Sequence, residues 1–135
     1  MSERRQGGCL CGAIRYEVAG EPVEVALCHC SMCRRSAAAP VVAWAMFEQG
    51  ALRFVAGKPT AYASSPGVER AFCARCGTAL TFRADFMTGL VDVTVGSMDA
   101  PATLPPQMHI WEAKRLPWLL LGDSLPRHDG FAPRA

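Results

Sequence analysis

The feature that most constrains this chain is the placement of its seven cysteines. They fall into three groups: Cys9 and Cys11 in "GGCLCG", Cys28, Cys30 and Cys33 in "LCHCSMCRR", and Cys73 and Cys76 in "AFCARCGTA". An odd number cannot pair completely within one chain. The opening "MSERRQGGCLCG" has no apolar h-region of a secretory signal, so a cytoplasmic location is expected, where disulfides rarely persist. Free cysteines can be plain buried hydrophobes. Three tight groups with none elsewhere argue instead for metal.

Spacing divides the thiols into two sites. In "CARCG" two intervening residues let a tight turn aim both sulfurs at one ion, and Gly77 permits the positive φ such a turn needs. A redox pair is the alternative, but that usually opens a helix beside a βαβ pattern, and no such pattern is present. A knuckle supplies two ligands. "GGCLCG" is the natural donor of two more: on extended backbone residues i and i+2 share a side, so Cys9 and Cys11 face the ion and Leu10 is expected in the core. Cys9, Cys11, Cys73 and Cys76 thus form a closed structural zinc site, contributing on the order of 10 kcal/mol to folding. Cys28, Cys30 and Cys33 remain, three ligands with an open position, as a catalytic zinc requires. The same alternation turns His29 away from them. It reads as a hydrogen-bonded strand residue or a residue of the substrate pocket. Arg34 and Arg35 either lie on a solvated helix face or hold the carboxylates of an anionic thiol. A second structural site completed by His109 or an acidic residue is the plainer reading of this group.

The rest of the chain has a period of two. "AIRYEV", "VEVAL" and "LVDVTV" alternate apolar and polar residues, and "PVVAWAMF", "ALRFV", "ALTFR" and "MHIWEAK" are rich in strand formers. "SMCRRSAAA" predicts a short helix with Ser31 as N-cap, and "LPWLLLGD" one further turn. Ser64 to Gly67 reads as a turn. Residues 1–125 are expected to form a single zinc-binding, mainly β domain, with 126–135 as an irregular tail. The net charge of +2 and scattered cations argue against nucleic acid, and no apolar run reaches the roughly 20 residues of a membrane span.

The order C-x-C, C-x-C-x-x-C, C-x-x-C-G resembles the family of glutathione-dependent formaldehyde-activating enzymes and centromere protein V. "GGCLCGAIRYEV", "LCHCSMCRRSAAA", "RAFCARCGTALTF", "MHIWEAKRLPW" and "DSLPRHDG" carry the likeness. The resemblance implies a β-tent of packed antiparallel sheets with zinc knuckles and one or two short helices. It implies two Zn²⁺ per chain, one on Cys9, Cys11, Cys73 and Cys76 and one on Cys28, Cys30 and Cys33. It also implies a carbon–sulfur lyase activity that joins a thiol such as glutathione to an aldehyde such as formaldehyde.

The expectation is therefore a zinc-dependent carbon–sulfur lyase. Cys28, Cys30 and Cys33 are its catalytic ligands, and His29, Arg34 and Arg35 its substrate candidates. Small molecules are its partners, and a homodimer is compatible with it. A non-catalytic zinc-binding interaction module and a zinc- or redox-responsive thiol protein are the competing readings.

Overall fold

A computed structural model describes residues 4–133. Among the described residues, ten strands form two sheets. The smaller contains β1 (Arg4–Gly8), β2 (Arg15–Ala19) and β5 (Leu52–Ala56), in the order β1-β2-β5. The larger runs β10-β3-β4-β9-β8-β7-β6. Its strands are β3 (Glu24–Cys28), β4 (Val42–Glu48), β6 (Thr60–Ser65), β7 (Val68–Phe72), β8 (Ala79–Ala84), β9 (Leu90–Thr94) and β10 (Met108–Ile110). All pairings are antiparallel except β10 on β3, which is parallel. Packed sheets and one short helix, α1 (Ser31–Ala37), give the mainly β fold expected.

Alternation decides which side chains are buried. Tyr16 and Val18 of β2 and Val91 and Val93 of β9 are almost fully enclosed. On β4, Ala45 and Phe47 join one core cluster, with Val18 and Leu80. Val42, Trp44 and Met46 join a second, with Phe82 and Ile110. Adjacent strand residues face opposite ways, so both faces of β4 are covered. The first cluster takes in Cys9 and Cys73, the second Cys28 and Cys33. The two sites into which spacing divides the thiols are thus separated by the central sheet.

Several local expectations change. Cys9 to Ala13 form the β1–β2 turn, with the Gly12 N–H donating to the Cys9 carbonyl (3.1 Å) and Gly12 at φ 80°. The backbone bends there, so simple alternation fails and Leu10 is 89% exposed rather than in the core. Ser31 is the first helical residue and not the cap: Cys30 occupies that position, without a side-chain cap hydrogen bond. Ser64 and Ser65 belong to β6, an exposed edge strand whose sequence shows no apolar alternation. The knuckle caps the hairpin of β7 and β8.

The described part of the C-terminal segment runs beside β10. The His109 N–H donates to the Pro126 carbonyl (2.9 Å), and the His128 N–H to the His109 carbonyl (3.0 Å). The Trp111 N–H donates to Gly130 (3.0 Å) and the Glu112 N–H to His128 (3.0 Å). Residues 134 and 135 of the expected tail lie outside the described residues. Among the described residues, no helix is long and apolar enough to cross a membrane.

Candidate thiol and metal centres

The β1–β2 turn and the β7–β8 turn bring Cys9, Cys11, Cys73 and Cys76 together, with all four sulfurs within 4.8 Å of one another. Cys9 Sγ lies 3.6 Å from Cys11 Sγ, which lies 3.9 Å from Cys73 Sγ. Two thiolates each 2.3 Å from one tetrahedral zinc stand about 3.8 Å apart, so the cage is sized for that ion. Backbone amides face the sulfurs: the Ile14 N–H donates to Cys9 (3.2 Å) and the Cys76 N–H to Cys73 (3.4 Å). Gly77 at φ 83° makes the knuckle close, its N–H donating to the Cys73 carbonyl (2.7 Å). The Thr78 hydroxyl, 3.2 Å from Cys76 Sγ, together with nearby backbone N–H groups, holds that thiol down to about 5. Against a lowering backbone hydrogen bond at Ala13, burial and the neighbouring sulfurs push Cys11 up to about 11, and metal takes cysteine in its thiolate form.

The other three cysteines line one slot. Cys28 ends β3, Cys30 precedes α1, and Cys33 sits in its first turn. Their sulfurs are looser than the first four and do not all lie within 4.8 Å of one another. Arg70 of β7, only 8% exposed, reaches Cys33 Sγ with both terminal nitrogens (3.5 and 3.6 Å). Its guanidinium also stacks 4.8 Å from the Phe82 ring centre, and its Nε donates to Ser64 (3.3 Å). The hydrogen bond from Cys28, then the charge of Arg70, holds the Cys33 thiol down to about 6. The same bond to Cys33, with burial, pushes Cys28 up. The slot encloses about 260 Å³ and is walled by aromatic side chains.

Arg70 is the residue that sequence reasoning missed. It lies 37 positions from Cys33 and meets it only through sheet pairing. Of the cationic candidates, Arg34 turns inward, its Nε donating to the His29 carbonyl (3.2 Å). Arg35 lines a neighbouring cavity of about 410 Å³ with Tyr62 and Ser64, and this cavity shares Met32 and Arg70 with the slot. A larger depression of about 810 Å³ near Gly67 and Thr88 is lined by neither thiol nor histidine.

His29 is fully buried and absent from the slot's lining. The Asp123 carboxylate accepts from His109 Nε2 (3.0 Å). That leaves His109 Nδ1 to accept from His29 Nε2 (2.8 Å). Glu112 Oε2 lies 3.3 Å from His29 Nε2, while its Oε1 accepts from Arg127 (2.9 Å) and forms an ion pair with Arg115 (3.1 Å). Burial first of all pushes the His29 pKa down, consistent with a neutral ring. Among the described residues, His29, His109 and Glu112 are the other cluster that could hold an ion. However, two ring nitrogens on one tetrahedral zinc stand about 3.3 Å apart, so at 2.8 Å this is a hydrogen-bonded chain. It braces the backbone between Cys28 and Cys30.

Fold and thiol centres together define a two-sheet β protein clasped by cysteines, with a second, open thiol group beside a cation. Residues 4–114 match the family described as "Glutathione-dependent formaldehyde-activating enzyme", and the chain belongs to that family. A Schizosaccharomyces pombe protein named as an uncharacterized lyase is 37% identical over 79 residues, 57% of this chain and 56% of that protein. A Halomonas elongata protein, named provisionally as a glutathione-dependent formaldehyde-activating enzyme, is 29% identical over 124 residues, 84% of this chain and 78% of that one. A Rhodobacter sphaeroides protein of known crystal structure superposes with a TM-score of 0.60 at 27% identity, covering 70% of this chain and 87% of the other.

Proposed function

We propose that the protein is a cytoplasmic, zinc-dependent carbon–sulfur lyase that joins a thiol to an aldehyde or cleaves the adduct. The observation that carries this reading is the partition of the thiols. Four make a closed cage, while Cys28, Cys30 and Cys33 line an open slot beside Arg70. In this reading Cys9, Cys11, Cys73 and Cys76 hold a structural zinc within one domain of residues 1–125, and the other three hold a second zinc. A zinc bound there supplies a site where an incoming thiol is held as thiolate. The family and the names of the relatives support glutathione and formaldehyde as substrates.

The chain's own groups do the rest. Arg35, exposed at the rim of the neighbouring cavity, fits a carboxylate of an anionic thiol, while Arg70 stays on Cys33. The substrate thiolate adds to the carbonyl carbon: a C–S bond forms, the C=O π pair moves to oxygen, and that oxygen takes the proton the thiol gave up. Cleavage is the reverse.

The test is exchange NMR of a glutathione–formaldehyde mixture with wild type and Cys30→Ser, alongside zinc analysis of both. The expected result is faster exchange and two zinc ions for wild type. Cys30→Ser should lose the acceleration and one of the ions. Equal exchange rates for the two proteins across several thiols would sink the reading.

A further inference from the structure

The geometry points to an aldehyde partner that carries an apolar, ring-sized substituent, so that the preferred adduct is an S-(1-hydroxy-2-arylethyl) or comparable hemithioacetal and not S-hydroxymethyl. This rests on the lyase reading of the same site and concerns what fills it.

A one-carbon group takes up roughly the volume of a water molecule, about 30 Å³, whereas a dry cavity of about 150 Å³ already holds benzene. The slot beside the three thiols encloses about 260 Å³. Its walls include Trp44, Phe82, Trp111 and Ile110. Phe86 and Phe131 stand at its mouth, 62% and 49% exposed. Phe131 lies 5.4 Å from the Phe86 ring and 5.2 Å, edge-on, from Trp111, distances at which rings attract. Formaldehyde would leave this surface wet; an aryl or branched alkyl group would cover it.

The polar part of the thiol has its own place. The cavity with Arg35, Tyr62 and Ser64 lies on the far side of Met32 and Arg70. Arg70 and Asp92 both line the slot, one of each sign, so its selectivity lies in its apolar walls and not in net charge. Trp111 adds a second sign of purpose. It holds φ 54°, a conformation that bulky residues rarely adopt and that tends to mark binding sites. The backbone bond of its N–H to Gly130 holds it there and brings Phe131 against its ring.

Two measurements separate the outcomes. The first is affinity for stable thioether analogues, S-benzylglutathione against S-methylglutathione, read by calorimetry on the zinc-loaded protein. The second is NMR acceleration of glutathione exchange with phenylacetaldehyde, formaldehyde and glyoxylate, each relative to its uncatalysed rate. At 10- to 200-fold for a single methylene in a fitted pocket, a ring should give at least tenfold tighter binding of the benzyl thioether. Acceleration should be greater with phenylacetaldehyde than with formaldehyde or glyoxylate. Phe131→Ala and Phe86→Ala should each narrow both ratios. Equal affinities for the two thioethers, or a preference for formaldehyde, would overturn the inference and leave the lyase reading standing. A benzyl preference without acceleration of any aldehyde would support the slot and remove the lyase reading.

Discussion

At the scale of single residues, chemistry is set by neighbours that the chain supplies from far away. Cys33 differs from an ordinary thiol because Cys28 donates to it and Arg70 lies against it. Replacing Arg70 with Gln removes a cation that favours the thiolate, so the Cys33 pKa must rise from about 6 towards the ordinary 9.0. The pH profile of iodoacetamide alkylation, measured on the demetallated protein, should move its midpoint up accordingly. An unchanged midpoint would mean that Cys28 alone sets it. The grouping of the cysteines was readable from spacing, because ligand geometry is local in a knuckle. The outward turn of His29 from the thiols was readable from alternation, but its burial was not, since His109 and Asp123 reach it through β10. Leu10 was misread because two glycine-rich flanks signal a bend as readily as an extended run.

Elements show where the periodic signal holds and where it fades. β2 and β9 were plain from alternation because one face of each is buried. β6 was missed since an edge strand with most residues exposed leaves no hydrophobic trace. β1 was also missed, as "RRQGG" carries strand geometry for a reason of packing. A Cβ on Gly7 would overlap the Tyr16 phenol ring and come within 2.6 Å of the Ser97 carbonyl, where Tyr16 and Ser97 share a hydrogen bond of 2.7 Å. Gly7→Ala should therefore cost about 1–3 kcal/mol through overpacking, measured by urea denaturation; a neutral result would show that Tyr16 can move aside. The segment around Asp123 makes a pH prediction. The hydrogen bond from His109, foremost, holds the Asp123 carboxyl below its ordinary 3.8. A depressed carboxyl stabilises the fold above its unfolded value and stops doing so as pH falls through its folded value. The segment that Asp123 ties to His109 should thus loosen below about pH 4, seen as a tryptophan fluorescence change; Asp123→Asn, which has no carboxyl to titrate, should show the loosened signal already at neutral pH and lose that pH dependence.

Over the whole molecule, the cysteine cage joins the turn of one sheet to a turn of the other, between residues 62 positions apart in the case of Cys11 and Cys73. The slot lies across the central sheet from it, in the other core cluster. Damage to the two centres should consequently differ in kind. Cys73→Ser should lower the thermal midpoint sharply, because metal binding at a closed site is coupled to folding. Cys30→Ser should keep the wild-type circular dichroism and midpoint within a few degrees. Similar loss in both variants would make the second centre structural as well. The mainly β class followed from periodicity alone; the separation of the centres did not, since strand order is set by non-local pairing. Long-range closure also has a temporal side. During synthesis at about 5–20 residues per second, Cys9 and Cys11 leave the ribosome several seconds before Cys76 can join them. For that interval two neighbouring thiols are exposed on a nascent chain with no partner to cage them. Yield in a cell should accordingly follow the free zinc and the reducing power available during translation more closely than the stability of the finished protein.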